Sequence, residues 1–90
     1  MRHIMVEEFN YKTHGTCSRN ISIKVDGDRI ESVDFAGGCP GNLLGIGRIV
    51  RGMTLKEVAE TFRGVRCGGK STSCPDQLAK ALDEIIERRG

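Results

Sequence analysis

The stretch NISIKVDGDRIESVDFA, residues 20–36, decides how the chain folds. Ile21, Ile23 and Val25 alternate with Ser22 and Lys24, the two-residue period of a strand with one buried face. Asp26-Gly27 supplies the turn chemistry of a tight hairpin, and a return strand follows from about Arg29 to Ala36. Its apolar phase slips between Ile30 and the pair Val33 and Phe35, which predicts a β-bulge or a late strand start. Upstream, IMVEEFNYK (residues 4–12) reads as a first, imperfect strand: Ile4 and Val6 alternate, but Glu7-Glu8 interrupts them. THGTC (13–17) is a short turn-like segment that joins it to the hairpin.

Downstream the period changes. In GGCPGNLLGIGRIVRGM (37–53), Leu43, Ile46, Ile49 and Val50 fit one face of a helix that begins near Asn42 and ends at Gly52. Gly45 and Gly47 lie inside it, each costing up to ~1 kcal/mol against alanine, which signals either close approach of another backbone or simply a weak helix. Thr54 and Glu57 form a capping box for a second helix, with Leu55, Val58, Ala59 and Phe62 on one face and Gly64 as its stop. RCGGKSTS (66–73) is then a loop into a third helix. There Leu78, Leu82, Ile85 and Ile86 share a face opposite Lys80, Asp83, Glu84 and Glu87. Pro75 suits the first turn of that helix, and Ser73 with Asp76 makes a capping pair at its start. The expected fold is α+β: a three-stranded antiparallel meander followed by three helices on one face.

Ninety residues suit one domain with a modest core. A formal charge of +2, from 14 basic and 12 acidic residues, is too small to imply nucleic acid, and three Phe and one Tyr leave little for base stacking. No apolar run approaches the ~20 residues of a membrane span, and MRHIMVEEFN lacks a signal peptide's apolar stretch. The expectation is therefore a cytoplasmic protein. In a reducing compartment, four cysteines are expected to be ligands or redox groups rather than disulfides.

All four cysteines stand at element ends. Cys17 precedes a strand, Cys39 follows one, Cys67 lies in a glycine-rich loop and Cys74 opens a helix. At a helix N-terminus the positive end of the dipole lowers a thiol's pKa and favours the thiolate that binds metals. Three of the cysteines lie within two residues of a glycine (GTC, GGC-PG, RCGG), which permits the tight turns and exposed N–H groups that metal-bound thiolates need. The spacings are wide, without paired C-x-x-C knuckles, so three readings stay open. One is a four-thiolate metal site, another redox or nucleophilic thiols, the third disulfides or inert residues. His14 lies three residues before Cys17 but reads as an exposed turn residue, and His3 gives less signal still. Arg19, Arg48, Arg51, Arg66 and Lys70 lie near the cysteine segments and would offset the −2 charge of a Zn²⁺–tetrathiolate; ordinary surface charge explains them equally well.

SCPDQLAKAL (73–82), with GTCSR (15–19) and GGCPGN (37–42) upstream, resembles the TSCPD domain, whose name is the run Thr72-Ser73-Cys74-Pro75-Asp76. The resemblance runs from about Tyr11 to Ile86. That family includes small stand-alone proteins with four cysteines and a C-terminal domain of adenosylcobalamin-dependent ribonucleotide reductases. What it implies is a zinc-binding accessory module linked to deoxyribonucleotide synthesis, with a ribonucleotide reductase or another protein as partner. Its ligands would be Cys17, Cys39, Cys67 and Cys74, with Gly38, Gly41, Ser73, Asp76 and Arg19 around them. No catalytic residue is assigned, because ribonucleotide reduction needs a large barrel that ninety residues do not supply. A more distant resemblance is to iron–sulfur cluster scaffolds of the NifU N-terminal type, where Cys17, Cys39 and Cys74 match the three ligand cysteines and an iron–sulfur cluster would replace zinc. Two residues depart from that pattern: Arg19 stands in place of an aspartate and Ser73 in place of a histidine. Cys67 adds a fourth thiolate, the mark of a closed site. A thiol redox pair of Cys67 and Cys74 is the remaining alternative, although six intervening residues make it unlike C-x-x-C.

Overall fold

The computed structural model describes residues 6–13, 15, 18–37, 40–65 and 72–89. Three strands, β1 (Val6–Lys12), β2 (Ser18–Asp26) and β3 (Arg29–Gly37), precede three helices, α1 (Pro40–Val50), α2 (Leu55–Phe62) and α3 (Cys74–Arg89). The sheet is antiparallel with order β1-β2-β3, the expected meander. The β2–β3 connection is the two-residue loop Gly27-Asp28, of which only Gly27 has positive φ (64°). That is the pattern of a II′ turn, whose twist matches the flanking strands. The phase slip read from the sequence is a bulge: Lys24 pairs with Ser32 but Val25 with Ile30, so Glu31 is the extra residue. A second irregularity, at Arg19 between Ser18 and Asn20, has no counterpart in the apolar pattern.

Register decides the buried face. Ile23 lies between Phe9 of β1 and Val33 of β3, and Ile21 between Tyr11 and Phe35. Ile21, Ile23, Val25, Ile30 and Val33 form one cluster with Val50 of α1, Leu55, Val58 and Ala59 of α2, and Leu78, Ala81, Leu82 and Ile85 of α3. Burying each such aliphatic side chain contributes about 1.5–3 kcal/mol, which makes this cluster the main source of stability. Phe9 and Tyr11 lie half-buried at its margin.

Three details of the helices differ from the periodic reading. α1 begins at Pro40, two residues before Asn42, because proline at the start of a helix needs no N–H partner. Ile49 is 70% exposed, and the inward face is instead Leu43, Ile46, Gly47 and Val50. In α3, Ile85 is buried while Ile86, a step of ~100° further round, is 38% exposed. The close approach suggested by the α1 glycines occurs at Gly47 alone. A Cβ there would lie 2.8 Å from the carbonyl oxygen of Val33, whereas one at Gly45 would meet nothing within 4 Å.

The segment after α1 is tied to the start of β3. Ile30 N–H donates to Met53 (2.8 Å), Gly52 N–H to the Ile30 carbonyl (2.9 Å), Leu55 N–H to Asp28 (2.9 Å), and Arg29 to the Gly52 carbonyl (2.7 Å). α2 opens with the expected capping box, in which Glu57 N–H donates to Thr54 Oγ1 (3.1 Å) and Thr54 N–H donates to the Glu57 carboxylate (3.0 Å). Its end is fixed by Arg63 N–H donating to Ala59 and by Gly64 at φ 85°. Arg63 also grips Asp83 of α3 with two N–H groups (2.7 and 3.1 Å), a surface pair that aligns the helices more than it stabilises them.

Candidate metal centre

Of the four cysteines, Cys17, Cys39 and Cys67 lie outside the described residues, as do Gly38, His3, His14, Arg66 and Lys70. Cys74 is buried, 8% exposed, at the first residue of α3. Its place follows from the cap. Asp76 N–H donates to Ser73 Oγ (3.1 Å) and Gln77 N–H to the Ser73 carbonyl (2.8 Å), which makes Ser73 the N-cap and Cys74 the first helical residue. Pro75 follows in the first turn, where no intrahelical donor is lost.

The other half of the capping pair points elsewhere. The Asp76 carboxylate accepts from Gly64 N–H (2.8 Å) and from the Thr72 hydroxyl, with Lys80 Nζ at 3.6 Å. Burial acts to raise this carboxyl, but the Thr72 hydroxyl, the Gly64 N–H and Lys80 together outweigh it and hold it below the usual aspartate range. Ser73 Oγ donates to the Val65 carbonyl (2.5 Å), and Gln77 Nε2 donates to Thr72 Oγ1 (3.0 Å). Thr72, Ser73, Asp76 and Gln77 are all buried, each at or below 5% exposure, an unusual concentration of polar side chains for so small a core. The network fastens the end of α2 to the start of α3. Sequence reading assigned Ser73 and Asp76 to a cap and passed over Thr72, Gln77 and the Gly64-Val65 backbone. The four-residue spacing of Thr72 and Asp76 was the available signal.

The sheet reaches the same place. Gly15, two residues before Cys17, has φ 75°, and a Cβ there would lie 3.1 Å from the Thr72 methyl. Ser18, one residue after Cys17, pairs with Gly37, two residues before Cys39. Val65, two residues before Cys67, meets Ser73, one residue before Cys74. The described neighbours of all four cysteines are thus linked at one end of the domain. Gly41 lies in the first turn of α1, and Arg19 is exposed at the second bulge, its carbonyl accepting from Thr13 N–H (3.2 Å). Arg48 and Arg51 are exposed on and just beyond α1. Among the described residues no three His, Cys, Asp or Glu side chains come together as a ligand set.

No helix among the described residues is long and apolar enough to cross a membrane. No curated protein and no solved structure matches the chain, so the iron–sulfur scaffold resemblance gains nothing from comparison. The family model of the TSCPD domain matches residues 2–86, which includes the meander, α1, α2, all but the last turn of α3, and every cysteine. With a match over nearly its whole length, the chain belongs to the TSCPD-domain family.

Proposed function

We propose that this protein is a metal-binding accessory module, holding Zn²⁺ through Cys17, Cys39, Cys67 and Cys74. The observation that carries the reading is the convergence of flanks: Gly15 on Thr72, Ser18 on Gly37, and Val65 on Ser73. A tetrahedral site needs four thiolate sulfurs within about 4 Å of one another, and chain segments tied this closely are what such a site requires. The donor set also fits the metal. An all-cysteine set of four suits a structural zinc, whose closed shell leaves no position for substrate. When bound, the ion would join the β1–β2 connection, the end of β3, the loop after α2 and the start of α3.

The chain's own residues prepare that role. Ser73 caps α3 with its side chain and so leaves Cys74 in the first turn, where N–H groups and the helix dipole favour thiolate. Asp76, although close in sequence, is engaged by Gly64, Thr72 and Lys80 and serves as a strut. By its family the module belongs with ribonucleotide reductase in deoxyribonucleotide synthesis, and its part there is to present a metal-braced surface to the larger protein. The test is thermal unfolding of wild type and Cys74→Ser, each with and without a strong chelator. Serine keeps the size and costs a helix start no more than ~1 kcal/mol, whereas structural zinc contributes on the order of 10 kcal/mol in small domains. The expected result is a large drop for wild type on chelation and a mutant already low without it. Equal melting temperatures in all four samples would overturn the metal reading.

A further inference from the structure

The two edges of the sheet are treated differently. Along β3, Ile30 exchanges hydrogen bonds with Met53 and Gly52, and α1 runs past Val33 at glycine distance. Along β1, at the other edge, no described strand or helix takes the corresponding main-chain groups. Which groups those are follows from the ladder. Thr13 N–H donates to Arg19, so that pair is hydrogen-bonded, and alternation back along β1 makes Tyr11–Ile21, Phe9–Ile23 and Glu7–Val25 hydrogen-bonded as well. The N–H and C=O groups of Glu8, Asn10 and Lys12 therefore point away from the sheet. The side chains agree, since Ser22 Oγ donates to Asn10 Oδ1 (2.9 Å), the close approach of a non-hydrogen-bonded pair.

An exposed edge invites another strand, and the sequence of this one is complementary to itself. We propose that a second copy of the chain pairs with it, β1 against β1 in antiparallel register about a two-fold axis at Asn10. Only registers that match Glu8, Asn10 and Lys12 among themselves present outward groups to outward groups. Centring the axis on Glu8 or on Lys12 would place like charges opposite each other, and centring it on Phe9 or Tyr11 leaves every charge without an opposite. Centred on Asn10, Glu8 faces Lys12 of the second copy and Lys12 faces its Glu8, each pair exchanging both main-chain bonds as the two Asn10 residues do. On the inner face Phe9 then stands opposite Tyr11 and Tyr11 opposite Phe9. These rings are left half-buried within one chain, beside a cleft of about 260 Å³ between β1 and α3. Aromatic and opposite-charge cross-strand pairs are the combinations that stabilise antiparallel sheets. The contact is isologous, so it closes as a dimer and consumes both edges.

The experiment is sedimentation equilibrium of the intact protein over a range of concentrations, with far-UV circular dichroism to confirm the fold. Wild type is expected to dimerise. Asn10→Pro removes an N–H that β2 does not use and should give a folded monomer. Lys12→Glu, whose in-chain partner is Asn20, should weaken association about tenfold by setting Glu against Glu at two symmetric places. Glu8→Lys should do likewise, and the double variant Glu8→Lys/Lys12→Glu should recover most of the loss. A wild type that stays monomeric throughout overturns the proposal, as does a dimer indifferent to Asn10→Pro. A double variant no stronger than the singles overturns this register.

Discussion

Alanine at Gly45 and at Gly47, introduced one at a time, should move stability in opposite directions within the same helix. Neither position carries positive φ, so both variants gain the same intrinsic helix propensity, up to ~1 kcal/mol. They differ only in what the new methyl meets. At Gly45 there is nothing within 4 Å, whereas at Gly47 the Val33 carbonyl oxygen is 2.8 Å away. An unstrained carbon–oxygen contact is about 3.3 Å or more, so α1 and β3 would have to part by roughly 0.5 Å at a point where Val33 is buried in the core. Overpacking of this kind costs about 1–3 kcal/mol. Because propensity cancels between the two variants, their difference isolates that contact: Gly47→Ala should be about 1–3 kcal/mol less stable than Gly45→Ala. In a domain of this size that separates their melting temperatures by at least ~4 °C. Urea unfolding followed by circular dichroism measures it. Equal stability of the two alanine variants would refute the close packing of α1 on β3.

Asp76→Ala leaves the Gly64 N–H and the Thr72 hydroxyl without their acceptor and should cost about 2–3 kcal/mol, while Asp76→Asn, which keeps an acceptor oxygen, should lose less. A change under ~0.5 kcal/mol for the alanine variant in urea unfolding would remove Asp76 as a strut. Gly15→Ala should be costlier than Gly27→Ala: both glycines have positive φ (75° and 64°), but only the former would press on Thr72. Equal losses would mean that the β1–β2 connection does not rest on the start of α3. Thr54→Ala should cost about 1 kcal/mol at neutral pH through the lost cap. The Thr54 N–H, then the Thr54 hydroxyl, hold Glu57 below the usual glutamate range. A lowered folded pKa gives stability that is present above the unfolded value and lost as pH falls through the folded one. Thr54→Ala keeps that N–H and deletes only the hydroxyl, so the hydroxyl's share of the wild-type advantage should shrink on acidification into and below the ordinary glutamate range, and an advantage that grows instead would contradict the capping box.

The meander was legible because its determinants are local. Alternation in β2 assigns the buried face, the glycine at the turn assigns the hairpin, and the phase slip at Glu31 marks a bulge that only one register accommodates. The capping box of α2 and the start of α3 were equally local, each set by a side chain bonding three residues along. What periodicity misjudged was the margin of the core. Ile49 and Ile86 belong to apolar stripes by spacing, but how far round a helix the core extends depends on what packs against it, and the narrow approach at Gly47 turns Ile49 outward. The polar network was half legible for the same reason. Ser73 and Asp76 declare a cap, yet the partners of Asp76 are a backbone N–H just past the end of α2 and a threonine before the cap, joined only when the helices dock. The cysteines stand between these cases: sequence placed them at element ends, and the fold links the residues beside them.

The proposed four-cysteine metal site is checked best by elemental analysis of protein purified without added metal. About one zinc per chain is expected, with all four thiols protected from alkylation until a chelator removes the ion, and loss of stoichiometric zinc in a Cys→Ser variant at Cys17, Cys39, Cys67 or Cys74. Iron with acid-labile sulfide in place of zinc would contradict the closed structural site in favour of a cluster. Folded, metal-free protein whose thiols react at once would contradict the metal site altogether.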